Sequence, residues 1–308
     1  MRSVVVIGAV NMDIGAVSSA PLVPRDSNPG RVGTSLGGVG RNIAHNLCLL
    51  GVDTAMVTVL GDDAFVAAIR RGAEEIGLDM SCSAVIPGGR TSTYVYLSQP
   101  DGDMALAVSD MDIYNHMTPD YLAERLDFIN SAKLVVLDAN LPAESIAWLC
   151  DHVTAPIVAD PVSTVKAKKL LPVLGKLTAL KPNRMEAEHL SGVAIRTAAD
   201  AEKAAEKLLE TGLKQVYISL ASDGIFAADS TGARARYHCP KVQIANATGG
   251  GDAMVAALTA SLLRREGLAR TAQNAICAGA FASMAETTIH PGMSWDAIEN
   301  IRESEEWI

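Results

Sequence analysis

The sequence predicts an α/β fold, a mostly parallel sheet covered by helices on both faces. Two observations carry this. Short β-branched runs alternate with longer helical patterns along most of the chain, as strand–helix–strand units require. Asp138, Asn140, Asp160, Asn183 and Ser219 all stand at or just after predicted strand ends. In such sheets the ligand sits outside the strands' carboxyl ends, so these residues should line one rim. Of the 308 residues 49% are hydrophobic, enough for a substantial core.

In chain order, the apolar runs 4–7, 55–59, 134–137, 157–159 and 216–220 read as buried strands. Residues 42–50, 64–75, 119–130, 143–152, 184–191, 198–208 and 253–264 read as helices. Two segments break the alternation. Residues 17–34 are rich in Pro, Ser and Gly. Residues 90–112 hold an alternating strand (91–97), the turn Pro100-Asp101-Gly102-Asp103 and a second strand (104–108), a hairpin by its turn chemistry. A hairpin inserted in an α/β chain is suited to cover the strand-end cleft as a lid. The charged segment 302–308 reads as peripheral.

Composition excludes several classes. A net charge of −9 argues against a nucleic-acid partner, which needs a basic face. No run is long enough to span a membrane. The apolar run after Met1-Arg2-Ser3 is too short for a secretory signal and reads as a first strand. Cys48, Cys82, Cys150, Cys239 and Cys277 are odd in number and lack CxxC spacing, which fits a reducing cytoplasm better than a zinc site or a disulfide framework. The six histidines have no metal-ligand spacing, and neither a P-loop nor a Gly-x-Ser-x-Gly elbow occurs.

The most informative stretch is Thr248-Gly249-Gly250-Gly251-Asp252-Ala253, read as a helix start after a strand ending near 242–244. A glycine-rich helix N-terminus offers free N–H groups and a positive dipole end to an anion. A carboxylate there would repel a phosphate that was only bound. It makes sense as the acceptor of a proton from a hydroxyl about to attack phosphorus. The alternative is a glycine-rich turn with a capping aspartate.

Four further stretches each allow two readings. Gly37-Gly38-Val39-Gly40-Arg41-Asn42 is a tight turn, or a close backbone approach to a sugar with Asn42 on vicinal hydroxyls. As a dinucleotide fingerprint it lacks the third glycine, although Asp62 and Asp63 stand near the distance of an acidic ribose ligand. In Asn11-Met12-Asp13 the aspartate either caps a turn or accepts from two ribose hydroxyls. Asn183 and Glu186 have capping-box spacing, or hold a water-coordinated Mg²⁺ beside phosphates. Ser219 to Gly224 is a turn after a strand, or a seat for ATP.

Together these stretches resemble the PfkB (ribokinase-like) family of sugar and nucleoside kinases, from Val4 to about Ala285. Residues 37–44 resemble its first signature, 246–253 its second, and Asn183…Glu186 its Asn-x-x-Glu motif. Asp26-Ser27-Asn28-Pro29-Gly30, Ser109-Asp110-Met111 and Asp160-Pro161-Val162-Ser163 resemble the branch that phosphorylates pseudouridine, and Val39 stands where ribokinases usually carry lysine. The resemblance implies a three-layer αβα sandwich in one domain (1–308) with a small β lid from about 11–34 and 90–112. It implies ATP-dependent phosphorylation of the pseudouridine 5′-hydroxyl, or of ribose, uridine or adenosine in other branches. A nicotinamide enzyme or a non-catalytic nucleotide sensor is a distant alternative.

Carried over by residue, the resemblance makes Asp252 the base and gives Gly249, Gly250 and Gly251 the anion hole. Asp13, Gly38 and Asn42 hold the ribose, with Asn11 nearby, and Ser27, Asn28, Thr93 and Asp110 read the base. Asn183 and Glu186 organise Mg²⁺ through water. Asn183, Ser219, Gly224, Thr248 and Cys277 border ATP. Similar kinases pair lid to lid, implying a homodimer. The family usually has Asp-Thr-Thr-Gly-Ala-Gly-Asp; here Asn246 replaces the first Asp and Gly250 the Ala. Losing that charge weakens a nearby monovalent-cation site, so K⁺ stays an open cofactor whose dependence the substitution puts in doubt.

Overall fold

The computed structural model describes residues 2–305. Its strands are β1 (Val4–Ile7), β2 (Asn11–Ser18), β3 (Gly30–Gly37), β4 (Thr54–Val57), β5 (Val59–Leu60), β6 (Ala84–Val85), β7 (Thr93–Ser98), β8 (Met104–Asp110), β9 (Leu134–Asp138), β10 (Ile157–Asp160), β11 (Ala179–Leu180), β12 (Gln215–Ser219), β13 (Ile225–Asp229) and β14 (Arg234–Tyr237). Its α-helices are α1 (Val39–Leu49), α2 (Phe65–Glu75), α3 (Pro119–Ala123), α4 (Leu126–Asn130), α5 (Ala143–His152), α6 (Thr164–Ala167), α7 (Arg184–Ser191), α8 (Ala198–Leu209), α9 (Gly250–Leu263), α10 (Leu268–Ala282) and α11 (Trp295–Ser304).

Eight strands form the central sheet in the order β14-β13-β12-β11-β10-β9-β1-β4. From β4 to β12 the pairing is parallel, and β13 and β14 are antiparallel additions at one edge. Strand periodicity explains the two cores. Val5, Ile7, Val135 and Leu137 face one hydrophobic cluster; Val4, Val6, Leu134 and Val136 face the other. Both faces are buried, hence the continuous apolar runs. The predicted α/β architecture is what the chain adopts.

Several boundaries differ from the sequence reading. The 119–130 helix is two, broken around Glu124–Arg125. The 55–59 strand ends at Val57, and Val59–Leu60 pairs separately with β6. No strand leads into the glycine-rich stretch at 242–244, since the chain runs irregularly from His238 past Pro240. Residues 306–308 of the expected peripheral end lie outside the described residues.

The two segments that broke the alternation build a second, four-stranded sheet in the order β3-β2-β7-β8. The 93–110 hairpin pairs antiparallel as its turn demanded, and β2 joins β7 in parallel. Residues 30–37, whose first part lies in the Pro-, Ser- and Gly-rich segment assigned to the lid, form an edge strand along all of β2. Their glycine and serine content hid the strand, because the partner supplies the pairing.

Candidate active site

β1 ends at Ile7, and the chain crosses Gly8 to Val10 before entering the smaller sheet. This crossing is pinned by Asp138, a fully buried carboxylate at the end of β9. Its Oδ2 accepts from the N–H groups of both Ala9 and Gly40, at 2.8 Å each, and Oδ1 accepts from Asn140 N at 2.9 Å. Burial raises its pKa, while the bonds to Ala9 and Asn140 lower it. Tyr114 Oη adds a second pin, donating to Val10 O and accepting from Val10 N. The Gly37–Gly40 turn packs directly on this brace. Gly38 has φ 95°, and a Cβ there would lie 2.5 Å from Ala9 O, so glycine is required.

From that turn α1 presents Arg41 and Asn42. Asn42 is buried, and its Nδ2 donates to Asp252 Oδ2 at 2.9 Å. Arg41 donates to Leu36 O and to Asn42 Oδ1. Opposite, on β2, Asp13 is desolvated, which pushes its pKa up to about 6 against the favourable charge of Arg41. Its Oδ1 is buried without a hydrogen-bond partner, an acceptor left for a ligand donor. Gly37 makes room for it: a Cβ there would stand 2.0 Å from Asp13 Oδ2. Asn11 is committed instead, its Oδ1 accepting from Ser92 Oγ at 2.8 Å.

The glycine-rich stretch enters the helix earlier than its sequence suggests. α9 begins at Gly250 with Gly249 as N-cap, so Asp252 lies in the first turn. Gly249 has φ 87°, and a Cβ would be 2.1 Å from Thr288 O. The N–H groups of the first turn have no carbonyl one turn earlier, so the anion-facing donors are present. Asp252 is partly buried, and desolvation pushes its pKa up to about 7. Asp160 raises it further, and the Asn42 bond and Lys181 lower it. Lys181 and Asp160 form a buried pair at 3.5 Å. Lys181 Nζ reaches past Gly251, 3.0 Å from where a Cβ would be.

On the other flank, α7 opens with the capping box its spacing indicated. Asn183 Oδ1 accepts from Glu186 N and Glu186 Oε2 from Asn183 N. Glu186 is buried, and its pKa is raised by burial and then by the charge of Asp160. A bridge between Asn183 and Ser219 joins the ends of neighbouring strands, bringing these two predicted nucleotide-side residues together. Thr248 stays exposed, its N–H donated to Asn246 Oδ1 at 2.9 Å.

Six residues expected at ligand contacts stand in other surroundings. Cys277 is fully buried in the core of α10, so its side chain faces no ligand space. Gly224 is buried too; its φ of 90° and the nearness of Tyr237 O explain the glycine, and its N–H serves its own turn. Thr93 and Asp110 share a register row with Met12, alternating with the Asp13 row, so they point to the opposite side of the sheet. Asp110 pairs there with Arg90, and Thr93 Oγ1 donates to Thr91 O. Asn28 is spent on its own loop, bonding Val23 and Asp26, and Ser27 is exposed beside it. Asp63, the acidic residue a dinucleotide site would use, is engaged by Thr91 and Phe65.

Tyr94 and Tyr96 escaped the sequence reading. Register puts Tyr94 beside Asp13 and Tyr96 beside Gly15, on the Asp13 face. Alternation within 93–98 was the available signal. Among the described residues no group of three or more His, Cys, Asp or Glu is placed to hold a metal, and no helix is long and apolar enough to cross a membrane.

Residues 1–294 match the model of the pfkB family carbohydrate kinases. The chain is 36% identical over 292 residues to the pseudouridine kinase of Escherichia coli, covering 94% of this chain and 93% of that protein. It is 32% identical over 295 residues to an uncharacterized sugar kinase of the same organism, covering 95% and 81%. Ribokinase of Arabidopsis thaliana, solved with ribose and ATP, superposes with a TM-score of 0.87 at 21% identity over 99% of both chains, a likeness of fold. The chain is a phosphotransferase with a hydroxyl acceptor, and it belongs to the pfkB family of carbohydrate kinases.

Proposed function

We propose that this enzyme transfers the γ-phosphoryl group of ATP to the 5′-hydroxyl of pseudouridine. The observation that carries the reading is Asp252, a carboxylate with a pKa near neutrality in the first turn of a glycine-started helix. Such a group takes a proton from an alcohol at neutral pH, while the N–H groups of Gly249, Gly250 and Gly251 meet the phosphoryl oxygens. The acceptor lies on the floor formed by Gly38 and Asn42, its ribose hydroxyls donating to Asp13. Phosphoryl transfer then needs little beyond positioning and charge. The 36% identity to a pseudouridine kinase supports the choice of acceptor.

Mg²⁺ fits the residues present. Burial first and the charge of Asp160 second raise the Glu186 pKa, and a divalent cation beside the two carboxylates would offset both. Asn183 and Glu186 would hold it through water, where it would neutralise phosphate charge. A K⁺ requirement is not proposed. Both ends of the Asn246 amide are committed, to Glu286 O and Thr248 N.

The smaller sheet is proposed to act as lid and dimer interface. Ile14, Val32, Val95, Leu97, Leu106 and Val108 share the face opposite Asp13. Val32 is 73%, Val108 63% and Leu106 60% exposed, an apolar face that a second copy would cover. The free cysteines suit a cytoplasmic setting.

The test is ADP release with Mg·ATP across pseudouridine, uridine, adenosine and ribose. Preference for pseudouridine supports the proposal. Preference for ribose or another sugar favours the second reading, motivated by the sugar-kinase relative. No turnover with any of them overturns the proposed acceptor class.

A further inference from the structure

A second lysine, Lys166, interacts with Asp138. After β10 the chain turns through Pro161 and Val162 into α6. Val162 holds φ 66°, a left-handed conformation that strains a β-branched residue. Its N–H donates to Asp160 Oδ1 at 2.7 Å, and Ser163 Oγ accepts from Lys166 N. This turn sets Lys166 on the rim. Its Nζ is 2.5 Å from Asn140 Oδ1 and 3.2 Å from Met111 Sδ. Asn140 follows β9, and Met111 follows the last strand of the smaller sheet, so the ammonium sits where lid and body meet.

An ammonium carries three donors. The Asn140 amide oxygen takes one, the Met111 thioether is a weak acceptor, and no further acceptor engages it among the described residues. Lys166 is half-buried, and desolvation lowers its pKa while Asp138 raises it. A partly desolvated cation with a spare donor on a cleft rim suits an acceptor atom of a ligand.

Lys181 acts on Asp252 together with Asp160 and Asp138. Lys166 interacts with Asp138. An acceptor with its 5′-hydroxyl at Asp252 and its ribose on Asp13 directs the substituent at C1′ away from the reacting end. We propose that Lys166, oriented by Asn140, donates a hydrogen bond to a carbonyl oxygen of the nucleobase. Lys166 thereby selects a pyrimidinedione over a bare sugar, and this assignment rests on the nucleoside-kinase reading above.

The experiment compares Lys166→Met with wild type on pseudouridine and on β-D-ribofuranosylbenzene, a C-riboside with no carbonyl. The analogue is measured as an inhibition constant against pseudouridine, so its own turnover is immaterial. Losing a charge-assisted hydrogen bond should raise the pseudouridine KM about 10–100-fold. The analogue's inhibition constant and the KM for ATP should change less than about twofold, and Lys166→Arg should recover part of the loss. Asn140→Ala, which frees the lysine, should show the same selective loss. An unchanged pseudouridine KM, or equal losses for both C-ribosides, overturns the role of Lys166 and leaves the kinase reading standing. Loss of ATP affinity in both variants assigns the residues to structure and also overturns it. A wild type that turns over sugars but no nucleoside overturns the acceptor reading itself, and the base-reading role with it.

Discussion

Asn42 Nδ2 donates to Asp252 Oδ2 at 2.9 Å, joining the first turn of α9 to a helix 210 residues earlier in the chain. The bond ties the acceptor floor to the proposed base and tunes that base, since it lowers a pKa that burial has raised to about 7.

The rate should therefore report this carboxylate. kcat/KM for the acceptor is expected to rise with pH through a limb near 7 as Asp252 loses its proton. Asn42→Ala removes a donor that favours the charged form and should move the limb to higher pH. Asp160→Asn removes a like charge and should move it lower. Shifts in the same direction would contradict the assignment.

Asp252→Asn should trade activity for stability. A carboxyl whose folded pKa exceeds its unfolded value costs nothing below about pH 3.8; the cost grows as pH rises and is complete above about 7. The neutral isostere escapes it. At pH 8 the variant should be more stable than wild type by up to about 4 kcal/mol, with the difference vanishing toward pH 4. Its kcat should fall about 10²–10⁴-fold. Denaturant unfolding at the two pH values, alongside initial rates, checks both.

Gly37→Ala should act through Asp13. The new methyl would stand 2.0 Å from Asp13 Oδ2, so the carboxylate must move. An acceptor KM raised about tenfold with unchanged ATP KM is expected. Gly33→Ala is the control, because nothing lies within 4 Å of a Cβ there. Equal effects of the two substitutions would remove the Asp13 contact from the account.

The exposed face of the smaller sheet predicts a solution state. Val108→Lys combined with Leu106→Lys should convert a dimer to a monomer in sedimentation. Both positions are well exposed, so little stability should be lost. A wild type that sediments as a monomer would discard the interface.

What the sequence made legible follows from what is local. The helix start at Gly249–Asp252 and the capping box at Asn183–Glu186 are written in adjacent residues, and both occur. The hairpin 93–110 was legible for the same reason. Asp138 stood out only as a strand-end residue, because its partners Ala9 and Gly40 are 129 and 98 residues away. Strand β3 was hidden because glycine and serine carry no strand signal until β2 pairs with them. Cys277 was misplaced because a motif names a helix but not which side of it is buried. Thr93 and Asp110 were assigned to the cleft without their register, and one residue of register decides the face.

The Asp138 brace has a mechanical meaning. One carboxylate grips the crossing after β1 and the turn before α1, so the proposed acceptor floor is tied as one plate to the central sheet. Such a plate has little freedom to adapt to different acceptors. Adjustment falls to the sheet above it, which meets the body at its root, near Asn11, Gly37, Ser92 and Met111. A change of acceptor during divergence can then be accommodated by re-facing that sheet, with the reacting end left as it stands.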